Sequence, residues 1–332
     1  MTFFASNSID WDLELMQMRH VRTQPCGELH NATGFDADVL DVLHKEIRFL
    51  SPHDCLKMMT YIHQGPTPCN FSALVGSSYN HTLTSLHAHF ELAASVLRTR
   101  MNSTIRYEHD NHSPFFPDRV TAIFDTLPIR ISSNADGLDR TAFWSGKHEC
   151  AAIEFGTVTD QRGRLLEVTG PFRPALGVIP HLVASGVYRN RRPAELFIGD
   201  QAYQAVPQFL TVVRPHDADK VLSAAERNFN HALCSVRSRV EHVNQNCFHR
   251  HKLFQKEIRL SLEHITNIIA VIAFAEHVRL RLHPPGPAFG AWPYNVTLLP
   301  ELWQDLLDAA SVCNGNDVGD SSDSEARDLT LD

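Results

Sequence analysis

The sequence has no Cys-x-x-Cys pair, no long unbroken apolar run and more acids than bases. Its seven cysteines, at positions 26, 55, 69, 150, 234, 247 and 313 of 332 residues, are an odd number without close spacing. That pattern speaks against a closed disulfide framework, and reduced thiols are expected. The longest apolar stretch, in HITNIIAVIAFAEH, is interrupted by Thr266 and Asn267. It is shorter than the roughly 20 residues that cross a bilayer, so a buried helix is expected and a membrane partner is not. The opening MTFFASNSIDWDLE carries acids where an export signal carries positive charge. An intracellular protein is therefore expected, and Asn-x-Ser/Thr sequons such as Asn31 and Asn295 carry no weight.

Basic residues are also scarce: 30 Lys+Arg face 38 Asp+Glu, a net charge of −8. Their distribution is uneven. Residues 119–260 hold 19 Lys+Arg against 14 Asp+Glu, a local excess of +5. Phosphate neutralisation by Lys and Arg supplies most non-specific nucleic-acid affinity, so the middle of the chain is where such a partner would bind.

Periodicity suggests a mixed α/β protein preceded by a small all-helical domain. Residues 1–35 have no clear period and read as an irregular arm. In 36–113, Val39, Leu40, Leu43, Ile47 and Leu50 share a helical face, Ser51-Pro52 restarts a second helix, and a third runs over 80–99. The segment from Asn70 through Gly76 to Phe90 has the spacing of a helix-turn-helix, although its second helix offers histidines and no Lys or Arg. It can read DNA or simply pack. From 114 to 313 the pattern changes to strands over 120–124, 128–132, 151–159, 165–169, 195–198 and 209–213. Helices are expected over 175–185 and from about 217. The acidic end, 314–332, reads as disordered, with Ser321, Ser322 and Ser324 among its acids.

Three carboxylates stand out by position. Asp125 closes the apolar run VTAIF, and Asp200 follows LFIG in the same way. Acids at strand ends sit at the rim of a sheet. The third, Glu241, lies beside an apolar stripe of i, i+3/i+4 spacing that includes Phe229, Leu233, Val236 and Val240. Arg237, one turn earlier, is placed to orient it or to meet a phosphate. Such a trio suits phosphodiester cleavage with two Mg²⁺ or Mn²⁺ ions, because hard cations prefer carboxylate oxygen. Singly, each acid also fits a cap or a surface ion pair. The CFHRH region, with His242, Cys247, His249 and His251, offers donors for zinc but lacks the paired spacing of structural sites.

The stretches IFDTLPIRI, FWSGKHECAAI, TDQRGRLLEVTG, ELFIGDQAY and NFNHALCSVRSRVEHVNQ resemble the catalytic domain of Harbinger-type DDE transposases over residues 119–256. The resemblance implies an RNase H-like fold with Asp125, Asp200 and Glu241 as catalytic, metal-binding acids. It places Lys147 and His148 (Gly-Lys-His), Tyr203 (Gly-Asp-x-x-Tyr) and Arg237 (Arg-x-x-x-Glu) at the DNA substrate. It further implies a nuclear setting, or cytoplasm and nucleus, with a separate Myb-like DNA-binding helper and self-association as partnerships. The chain departs from the family pattern in having Thr126 directly after Asp125 and no His-Asp pair in GPFRPALG. An active transposase or endonuclease, and a domesticated non-catalytic DNA- or protein-binding relative, both fit.

Overall fold

The computed structural model describes residues 27–108, 116–132, 141–215 and 221–283. Helices α1 (Gly27–Thr33), α2 (Ala37–Glu46), α3 (Pro52–Gln64), α4 (Pro68–Leu74) and α5 (Tyr79–Leu97) come first. Strands β1 (Val120–Arg130), β2 (Trp144–Ser145), β3 (Cys150–Asp160) and β4 (Leu165–Phe172) follow. Short helices α6 (Ile179–Ala184) and α7 (Gly186–Arg189) lead to β5 (Leu196–Ile198) and β6 (Phe209–Leu210), and the long helices α8 (Ala224–Val243) and α9 (Leu262–Leu282) complete the described chain. The chain divides into two compact units. Among the described residues, one comprises 27–102, 128–132, 141–154 and 243–283; the other comprises 103–108, 116–127, 155–215 and 221–242.

In the first unit, helix starts follow local chemistry. The Ser51 hydroxyl accepts from the Asp54 amide at 3.1 Å ahead of Pro52, and Ser261 accepts from His264 N at 3.3 Å. Such caps satisfy amides that the first helical turn leaves open. Val39, Leu43, Met59, Phe90 and Ile272 are buried, and α9 packs on α2 and α5. Glu276 of α9 is fully buried and accepts from Arg250 at 2.7 Å and from Arg279 Nε at 2.6 Å.

Two expectations change here. Part of the supposed irregular arm is helix α1, stopped by Gly34 at φ +77°; residues 1–26 lie outside the described residues. The helix-turn-helix spacing is present in α4 and α5, but two of the three α5 imidazoles, His87 and His89, are partly buried against neighbours, and only His81 is exposed. His87 stacks on His264 with ring centroids 3.5 Å apart, and His89 Nδ1 lies 4.0 Å from Asp54. Packing, then, is what this helix visibly does. The acidic segment 314–332 also lies outside the described residues.

The sheet order is β2-β3-β1-β5-β6, with β4 pairing on β3. Strand β5 is parallel to both β1 and β6, whereas β2 is antiparallel to β3. This mixed sheet flanked by helices fits an RNase H-like domain. Asp160, fully buried, shapes the β3–β4 turn by accepting from the amides of Arg162 (2.9 Å) and Arg164 (2.8 Å), with Gly163 at φ +83°. Residues 128–130 are not a separate strand, because β1 runs unbroken to Arg130. Pro128 is tolerated because β5 ends opposite Ile123, so no β5 carbonyl awaits the missing amide.

The two faces of the second unit's sheet carry separate cores. Ile123, Leu196 and Ile198 meet Phe229, Leu233, Val236 and Val240 of α8; Phe124 and Phe197 meet Leu182, Val187 and Phe209 on the other side. Each such side chain contributes ~1.5–3 kcal/mol on burial. Helix α8 starts at Ala224 rather than near 217, since Ser223 and Glu226 form a reciprocal capping box at 2.7 and 3.2 Å. The helix expected over 175–185 is divided by Gly177 at φ +67°.

Candidate active site

The parallel register of β1 and β5 brings two of the acids together. Val120 pairs with Leu196, a bulge follows, and Ile123 then stands opposite Ile198. Asp125 and Asp200 each come two residues after that last pair. Residues two apart share a face of a sheet, and neighbouring strands lie ~4.8 Å apart. Both carboxylates therefore extend the lines of Ile123 and Ile198, on the face that α8 covers. The start of β5 is pinned beside β1 by Glu195, which accepts from Thr121 Oγ1, from Arg106 Nε at 3.0 Å and from Tyr107 Oη at 2.8 Å.

Gly199 and Tyr203 explain the rest of the Gly-Asp-x-x-Tyr segment. A Cβ at position 199 would lie 2.7 Å from Tyr203 Cδ2 and 2.8 Å from Phe209 Cδ1, so only glycine lets the tyrosine ring close under the turn. Tyr203 is 1% exposed and stacks on Phe209 at 4.6 Å. Its ring supports the turn from inside. Asp200 caps the same turn, accepting from Ala202 N at 2.9 Å.

Glu241 enters from α8, one residue past the buried Val240. It is exposed and paired with Arg237, Nη2 to Oε1 2.7 Å. The Arg237 Nε is buried and has no hydrogen-bond partner among the described residues. Asn230, two turns earlier on the helix flank, clamps α8 to the segment after β6: its side chain accepts from Val213 N and donates to Val213 O, both at 2.8 Å. Nothing in the sequence signals this clamp, because its partner is an ordinary backbone amide in a segment that reads as strand.

The electrostatics join the three acids. Burial pushes the Asp125 carboxyl up to about 6; a hydrogen bond from the Thr126 amide lowers it, the Asp200 charge raises it, Arg237 lowers it and Glu241 raises it. Asp125 thus feels both other acids. In this arrangement the three carboxylates are not all within 4.8 Å of one another, since Glu241 is held by Arg237. An all-oxygen donor set built on one acid that is raised by burial and by two like-charged neighbours fits hard divalent cations.

Lys147 and His148 lie elsewhere, in the first unit. They occupy the turn joining β2 to β3, where Ser145 pairs with Cys150. Lys147 is exposed; partial burial and the neighbouring Lys147 charge lower the His148 pKa. The zinc alternative does not form. Cys247 is buried with Arg279 Nη2 3.7 Å from its sulfur, and His251 Nδ1 is 3.2 Å from His63 Nδ1. Among the described residues the four expected donors build no common group.

No curated protein and no solved structure gives a significant match to the chain. Residues 124–274 match the family model described as DDE superfamily endonuclease, a span that contains Asp125, Asp200 and Glu241. With two acids brought together by the parallel strands and a third on the helix across that face, this matched span is where the chain is similar to the DDE superfamily endonuclease family.

Proposed function

We propose that the chain is a DDE-type transposase or transposase-derived endonuclease that cleaves DNA phosphodiesters and transfers the resulting strand end. The observation that carries this reading is the Asp125 carboxyl, raised to about 6 and acted on by both Asp200 and Glu241. Asp125, Asp200 and Glu241 would hold two Mg²⁺ or Mn²⁺ ions, which supply charge neutralisation on the phosphate and activation of the attacking oxygen. Asp125, buried and acted on by both other acids, takes the central position. Arg237 releases Glu241 inward and turns its guanidinium, whose Nε is already buried without a partner, toward the scissile phosphate. Lys147 and His148 serve as backbone contacts on the same DNA. The absence of Lys and Arg from α5, with His87 and His89 partly buried, supports a Harbinger-like division of labour, in which a Myb-like helper supplies sequence recognition within the nucleus and copies of this chain act together.

The test is nicking of supercoiled duplex DNA. Wild-type protein is expected to cut with Mg²⁺ or Mn²⁺ and not with chelator, and Asp125→Ala to remove cutting at least 100-fold while leaving DNA binding. The missing His-Asp pair favours a second reading, a non-catalytic DNA-binding descendant. Binding without any metal-stimulated cleavage would establish that reading and end the first.

A further inference from the structure

In the first unit, remote from the endonuclease acids in sequence, the end of α9 meets the corner between α1 and α2. His283 Nε2 lies 2.8 Å from Asp38 Oδ2, and His30 Nδ1 lies 2.9 Å from Asp36 Oδ1. One donor atom from each of Asp36, Asp38 and His283 falls within 4.8 Å of the others. Two carboxylates so close repel each other, and among the described residues neither is paired with a lysine or arginine. Each faces an imidazole instead. Asp36 also stands at the N-cap of α2 without making a cap bond, its carboxylate turned to His30.

The backbone of the corner is anchored by buried neighbours, while the side chains of Asp36, Asp38 and His283 are 34%, 49% and 47% exposed. Phe35 is fully buried and stacked on His251 at 5.6 Å, and the Gly34 carbonyl accepts from Arg250 at 2.8 Å. The donor set also has a preference: an imidazole with two carboxylates favours a borderline dication such as Zn²⁺ over Mg²⁺, which seeks oxygen alone.

We infer that Asp36, Asp38 and His283 form a zinc site that clasps the α1–α2 corner to the end of α9. His30 is a positioning residue that orients the Asp36 carboxylate. Carboxylates held in this way from the outer shell bind metal more tightly, and loss of such a partner weakens affinity about 10–100-fold.

The full-length protein, stripped with chelator, is titrated with Zn²⁺ by calorimetry in excess Mg²⁺, which competes for oxygen-only sites. One tight equivalent is expected in wild type and in Asp125→Asn, none in His283→Ala or Asp38→Asn, and a 10–100-fold weaker one in His30→Ala. Zinc is also expected to raise the melting temperature of wild type and not that of His283→Ala, whose fold is checked by circular dichroism. The site is overturned if wild type takes up no zinc, if both His283→Ala and Asp38→Asn bind as wild type does, or if Asp125→Asn abolishes the binding.

Discussion

At the scale of single residues, Asp125 decides how the domain responds to pH. Its folded-state pKa, about 6, stands above the ordinary value of 3.8. The stability it contributes is therefore fully present below about 3.8 and is lost as pH rises through about 6. Asp125→Asn keeps the shape and removes the charge. In metal-free protein the variant is expected to exceed wild type in stability above pH 6, by on the order of 1–3 kcal/mol, with the difference narrowing toward pH 4. Urea denaturation at a series of pH values measures it; equal stabilities at pH 7.5 would contradict the burial of this carboxyl beside two other acids. The three acids were legible in the sequence by their setting: two follow apolar strands, and one flanks a helical stripe. Their partners were not. The Arg237–Glu241 pair followed from i, i+4 spacing, but the burial of Tyr203 depends on Phe209 and on the bare Cα of Gly199 closing together.

At the scale of elements, the turn after β5 carries Asp200 only while Gly199 leaves room for the tyrosine ring. Gly199→Ala places a methyl group within 2.8 Å of two aromatic rings. A loss of about 1–3 kcal/mol in stability is expected, as for other overpacked sites. Nicking should fall with it even where the protein remains folded, because the turn that bears Asp200 must shift. Chemical denaturation and the DNA assay, run on the same preparation, check both. Strand and helix types were readable from their periods, and the boundaries less so. Leu222 extended the apparent stripe of α8 beyond its true start, although the Ser223-x-x-Glu226 capping box was already there to mark it. Pro128 suggested a break in β1 because the shortness of β5, which removes the need for its amide, is a property of the neighbour and not of the run itself.

At the scale of the whole molecule, a chain of net charge −8 keeps a +5 excess in residues 119–260. Binding to DNA through about three to five phosphates there would weaken roughly 40- to 500-fold between 50 and 200 mM salt. Fluorescence anisotropy on a duplex across that range measures the slope; an affinity indifferent to salt would rule out a phosphate-led interface. The parallel neighbours β1 and β5 also have a meaning for synthesis. Val120 must wait for Leu196 before its strand has a partner on that side, and α9 completes the first unit only at Leu282. A growing chain thus exposes VTAIF, unpaired there, through much of its translation, and is a natural client for chaperones that shield apolar segments. The order along the chain has a second effect: a message cut short before codon 241 yields polypeptides without the third acid, so incomplete products lack the full trio of the proposed site.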